Sequence, residues 1–240
     1  MESKEFKTFW EGQKSPVHAH SNDYWFDRYA EEILFFLRGR KVIVDAGCGS
    51  GEILERIAPH FEKITAIDYS SSMLALAQEK MKNRNPQLVS FACDSITNIK
   101  EHCQAPVDGI FSNGVIQYLS NAELIKFIES SSDLLRTDGM LLLFNVPNRN
   151  SRLLFMLGFY KHEKYVSFFK VLKGLFGLGF KILADKVRNG FRSYPDGIGN
   201  WYTMDQLKKL GAEKGFTVEI YGSTIVNYYY RFHAILRKNG

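Results

Sequence analysis

At 240 residues, 45% hydrophobic and 24% charged, the chain suits one large domain, or one domain with an inserted lid, and has apolar residues enough for a sizeable core. Its net charge of +5 is unevenly spread: residues 148–192 hold ten Lys or Arg against Glu163 and Asp185, so that segment is +8 and the rest −3. Cys48, Cys93 and Cys103 are odd in number and far apart, which argues against a disulfide framework or a zinc pattern and predicts free, buried thiols in a reducing cytoplasm.

The N-terminal residues lack the apolar run of a secretory signal, and no uninterrupted apolar stretch of ~18 residues predicts a membrane span. Residues 16–25 then lead into a helix expected to end near Leu37. His18 and His20 alternate there and would face one way on an extended chain, but no third ligand is spaced to join them, so no metal is expected.

Val42, Ile43 and Val44 read as a buried strand that Asp45 ends. Gly47, Gly49 and Gly51 follow as a turn, and helical spacing resumes over 52–58. Such a turn, between a strand and a helix N-terminus, would offer bare N–H groups and a concave backbone to a ligand. Strand and helix then alternate: strand 63–67, helix 70–82 capped by Ser70 or Ser71, strands 87–91 and 107–112, helix 121–136, and the apolar strand 139–146. Repeated alternation predicts an open parallel sheet. The C-terminal part departs from it. A helix over 204–214, with Thr203 as cap, precedes strands 216–221 and 228–236, whose six-residue link is too short for a crossover and makes them antiparallel.

The glycine spacing narrows the ligand. A dinucleotide fingerprint, G-x-G-x-x-G, needs glycine at position 52; here that residue is Glu52, and the pattern is D-x-G-x-G-x-G from Asp45 to Gly51. A carboxylate at Asp45 suits a cationic ligand group such as an ammonium better than a pyrophosphate. Asp68 lies 21 residues beyond Gly47, where an acidic side chain takes ribose hydroxyls; its other reading is a helix-capping aspartate. These residues resemble the first motif of the Rossmann-like, class I S-adenosylmethionine-dependent methyltransferases. The likeness covers residues 40–147 and 200–237.

That resemblance implies an α/β fold: a seven-stranded, mostly parallel sheet with an antiparallel C-terminal strand and helices on both faces. It implies S-adenosylmethionine as cofactor and S-adenosylhomocysteine as product. Asp45, Ala46, Gly47, Cys48, Gly49 and Gly51 would form the cofactor turn, Tyr69 would pack on adenine, and Met73 would belong to the same pocket. Asp94 and Ser95 would meet the adenine edge, Asn113 and Gly114 would lie under the methionine portion, and Tyr24 or Trp25 would close the pocket. Gln117 and Tyr118 would face the methyl group; Gln117, being neutral, cannot serve as a base near pH 7. His20 is the candidate general base, or else a surface histidine.

On this reading residues 1–39 form an N-terminal helical cap, 40–147 and 196–240 the methyltransferase core, and 148–195 an inserted helical lid. Nine aromatic residues stand among the lid's basic ones, and 165–186 is amphipathic. Three readings of that stretch compete: a lid packed on the core, a helix at an anionic membrane surface, and a homodimer interface. Arg149 and Arg152 either meet an anionic substrate or form salt bridges at the lid base. Nucleic acid is disfavoured because no recognition module is visible. The expected function is methyl transfer to an oxygen or nitrogen of a small acceptor, a sugar or secondary metabolite first. The alternatives are a lipid-linked acceptor, with the protein peripheral at the membrane, and a scaffold that binds the cofactor without chemistry.

Overall fold

The computed structural model describes residues 23–82, 84, 86–104, 106–156, 176–177, 199–223 and 230–240. Short runs of β-branched and other apolar residues build the centre of the fold. Strands β1 (Val42–Ala46), β2 (Lys63–Asp68), β3 (Val89–Cys93), β4 (Val107–Asn113) and β5 (Leu135–Pro147) pair in parallel. Strand β7 (Arg231–Lys238) lies antiparallel to both β5 and β6 (Phe216–Gly222). The order is β3-β2-β1-β4-β5-β7-β6, the seven-stranded Rossmann-like sheet that the sequence implied.

Alternate residues of the strands feed two cores. Ile43, Phe111, Leu142 and Ile235 pack with helices α1 (Asp23–Phe36), α2 (Glu52–Ile57) and α3 (Ser71–Met81), through Ile33, Leu54 and Met81 among others. Val44, Ile110, Leu141 and Phe232 face α4 (Ile99–His102), α5 (Asn121–Leu134) and α7 (Met204–Glu213), through Ile99, Phe127 and Leu207. Both sheet faces are therefore covered, which is why the central strands read as nearly continuous apolar runs. A short helix, α6 (Arg152–Met156), leaves the end of β5, where Phe155 meets Trp201 and Tyr230 edge-on.

Several boundaries move. Strand β1 continues through Asp45 to Ala46, one residue beyond the end that the sequence implied, and the glycine turn follows it. Pro86–Leu88 forms a tight 3-10 turn, and β3 starts after it at Val89 rather than at 87. Helix α5 stops at Leu134 because Leu135 already pairs with Val107 in the sheet. Cys48, Cys93 and Cys103 are free, but Cys93 is exposed and the other two only half-buried, since each sits at a strand end or loop rather than in the core. Among the described residues no helix is long and apolar enough to cross a membrane. Most of the N-terminal cap, with His18 and His20, and nearly all of the lid, including the amphipathic stretch 165–186, lie outside the described residues.

Candidate active site

Open α/β sheets bind ligands beyond the carboxyl ends of their strands, where the strand order reverses. Here the reversal falls between β1 and β4, and the glycine turn sits on it. Gly47, Gly49 and Gly51 all have positive φ, of 91°, 53° and 83°. At Gly47 a Cβ would come within 2.3 Å of a Val115 methyl, and at Gly51 within 3.0 Å of the Ala77 backbone. At Gly49 a Cβ would meet nothing within 4 Å, so that side of its backbone faces open space.

The amides of this turn are not bare, contrary to the sequence expectation. Gly47 N–H and Cys48 N–H donate to the Ile67 carbonyl at 2.7 and 3.1 Å, and Gly51 N–H to the Cys48 carbonyl at 3.1 Å. Gly49 N–H donates to Asp68 Oδ2 at 2.9 Å, while Ser70 N–H donates to Asp68 Oδ1 at 2.9 Å. The turn is thus stitched to the end of β2, and Asp68 is fixed by both oxygens while keeping acceptor capacity on each. Burial raises its pKa despite those two donors. Ser70 caps α3 by accepting from Met73 N–H, which leaves Met73 almost wholly buried.

Asp45 is buried, and no donor among the described residues hydrogen-bonds its carboxylate. Burial first, and the charge of Asp68 second, hold its pKa well above the ordinary value. Burial likewise pushes up the Cys48 thiol, so it is no thiolate nucleophile near neutrality. Ala46 is buried and can meet a ligand only through its backbone. Tyr69 is half-buried beside Asp68.

At the end of β3, Asp94 Oδ1 accepts from Ser95 N–H and from Asn98 Nδ2, and Oδ2 pairs with His102 Nε2 at 2.8 Å. The His102 hydrogen bond is the main reason its pKa falls. The sequence reading missed His102, which reaches Asp94 only because the chain turns back through the short α4.

Beyond β4, Gly114 takes φ 70° and its N–H donates to the Phe144 carbonyl at 3.0 Å. The Gln117 amide donates to the Gly114 carbonyl at 2.6 Å, so it braces the loop from beneath. A register shift in β5 between Leu143 and Val146 lets Asn145 bulge out with φ 56°. Its side-chain amide donates to Asn113 Oδ1, its N–H to His233 Nδ1 at 3.1 Å, and its carbonyl accepts from Arg231 Nη1 at 2.6 Å. His233 Nε2 then donates to Glu32 of α1 at 3.0 Å. Arg231, His233, Asn145 and Tyr29 were not singled out from the sequence. One signal was available: Arg231 and His233 alternate on a single face of an otherwise apolar strand.

Tyr24 stands 57% exposed at the start of α1, edge-on to Trp25. Arg149 is exposed, and Arg152 lies half-buried at the start of α6. Among the described residues no cluster of His, Cys, Asp or Glu could hold a metal. A small cavity lined by Val42, Lys63, Thr65, His102 and Val107 lies toward the amino ends of the strands, away from the glycine turn, and does not form part of this site.

Residues 43–139 match the methyltransferase-domain family. That stretch is a methyltransferase domain. Over 102 residues, 42% of its length, the chain is 33% identical to a malonyl-[acyl-carrier protein] O-methyltransferase of Bacillus cereus, and it spans only 35% of that relative. In fold, the chain is similar to N-methyltransferase NodS of Bradyrhizobium japonicum in complex with S-adenosylhomocysteine (TM-score 0.66, 14% identity, all of both chains covered). It is also similar to phosphoethanolamine N-methyltransferase 1 of Haemonchus contortus in complex with phosphoethanolamine and S-adenosylhomocysteine (TM-score 0.66, 18% identity, 99% of this chain and 49% of that one).

Proposed function

We propose that this chain binds S-adenosylmethionine and transfers its methyl group to an oxygen or nitrogen of a small acceptor by in-line displacement. The observation that carries this reading is the D-x-G-x-G-x-G turn, locked through Gly49 to Asp68 at the point where the strand order reverses. Asp68 accepts the ribose hydroxyls. The backbone from Ala46 to Gly51 gives the ligand close approach, and Tyr69 packs beside adenine while Asp94 and Ser95 meet its edge. Asn113 and Gly114 support the methionine portion. The buried Asp45 suits the cofactor's ammonium, because a cation relieves the cost of an unpaired carboxylate.

The sulfonium already activates the methyl group, so the protein's task is alignment and exclusion of water. A general base adds rate only where the acceptor must lose a proton, and His20 is the candidate. The similar proteins named above are O- and N-methyltransferases, which favours those acceptor atoms. A sugar or secondary-metabolite scaffold fits the aromatic composition of the segment after β5.

Thermal-shift measurements with S-adenosylhomocysteine and with NADH test the cofactor assignment. A rise in Tm with S-adenosylhomocysteine alone is expected; a larger response to NADH would overturn it. Release of S-adenosylhomocysteine from S-adenosylmethionine, screened over small acceptors, separates an enzyme from a scaffold.

A further inference from the structure

Arg231 opens β7 opposite Pro147, at the carboxyl edge of the sheet. Its guanidinium lies deep enough for burial to lower its pKa, yet the residue keeps a partly open surface. Among the described residues its hydrogen bonds run to neutral oxygens only: the Asn145 carbonyl at 2.6 Å, and Gln117 Oε1 at 3.4 Å from each of Nη1 and Nη2. Five N–H donors in a planar fork are more than two neutral oxygens satisfy. Arg56, also half-buried, meets carboxylates instead, with Asp23 and Asp27 as its partners. Glu32, a carboxylate that acts on Tyr29, is engaged by His233.

The titratable groups beside Arg231 are the phenols of Tyr29 and Tyr118, both half-buried and hydrogen-bonded to the side chains of Asn145 and Gln117 respectively. Burial raises the pKa of each, so both stay protonated donors at neutral pH. The geometry of these hydrogen bonds therefore points to an oxyanion site at Arg231, flanked by Tyr29 and Tyr118, which takes a carboxylate or phosphate group of the methyl acceptor. This rests on the methyltransferase reading, because it places the site one hydrogen-bond step from the cofactor region. Gln117 touches both Arg231 and the Gly114 carbonyl, and Asn145 touches both Arg231 and Asn113. A bidentate arginine recognises either oxyanion through paired N–H donors, and a hydrated lysine does so less well. Arg231, rather than the exposed Arg149, then selects an anionic acceptor.

The test is calorimetric titration of the whole protein with benzoate, benzyl phosphate and neutral benzyl alcohol, with and without saturating S-adenosylhomocysteine. Wild type is expected to bind at least one of the two anions and to bind the alcohol at least about tenfold more weakly. Preference between benzoate and benzyl phosphate distinguishes the two oxyanions. Arg231→Gln should lose anion binding while S-adenosylhomocysteine affinity stays within about twofold, and Arg231→Lys should retain part of it. Should Arg231→Gln fail to fold, the wild-type contrast and Arg231→Lys still decide. Equal binding of anion and alcohol by wild type, or unchanged anion binding in either variant, would overturn the site. Anion binding without any heat from S-adenosylhomocysteine would leave the site standing and remove the methyltransferase reading instead.

Discussion

Asp45 is buried close enough to Asp68 for that charge to raise its pKa further, and it has no hydrogen-bond donor of its own among the described residues. Because its folded pKa lies above the ordinary value, the folded state holds that proton more tightly than the unfolded chain does. Stability is then full below the unfolded pKa and is lost as pH rises through the folded one. Asp45→Asn removes this titration. The ligand-free variant is expected to be more stable than wild type at pH 7 by about 1–3 kcal/mol in urea unfolding, with the gap closing toward pH ~4. It should also bind S-adenosylhomocysteine more weakly. A variant less stable at pH 7, or a gap that ignores pH, would contradict this account of Asp45. Residues of this kind were legible in the sequence because they sit in a motif of fixed spacing. Arg231 and His102 were not, because their partners lie 86 and 8 residues away and only the folded chain brings them together.

At the scale of elements, sequence periodicity located nearly every helix and strand, since each has an apolar face that must be buried. It misplaced ends where a local device overrides periodicity: Pro86 delays β3, and pairing with Val107 draws Leu135 out of the helix. The bulge at Asn145 was invisible, because Phe144-Asn145-Val146 reads as ordinary strand, yet that bulge aims Asn145 at Asn113 and Arg231. The glycine turn and the caps make distinguishable predictions. Gly51→Ala combines φ 83° with a contact 3.0 Å from the Ala77 backbone, so it should destabilise by roughly 1–3 kcal/mol and weaken cofactor binding together. Ser120 closes a capping box on α5 with Glu123, far from the turn; Ser120→Ala should cost about 1 kcal/mol with S-adenosylhomocysteine affinity unchanged. Chemical denaturation and calorimetry on the two variants check both. Equal loss of affinity in the two would mean that binding simply follows global stability.

Over the whole molecule, charge and chemistry separate. The sheet carboxyl edge gathers carboxylates at the β1–β2 end, where a cationic cofactor suits them, and an arginine at the β5–β7 end. That division gives the carboxyl edge two differently charged halves, with Asn113, Gly114 and Gln117 between them. The fold class was legible from alternation alone, whereas the division was not, because it depends on the order in which β1, β4, β5 and β7 stand side by side. The central claim, a cofactor pocket organised by Asp68, is tested most directly by calorimetric titration of S-adenosylhomocysteine into wild type and Asp68→Ala. The account predicts saturable one-to-one binding by wild type and a loss of at least about tenfold in the variant, as expected when a charged acceptor of ribose hydroxyls is removed. Wild type that gives no binding heat, or a variant that binds as tightly as wild type, would contradict it.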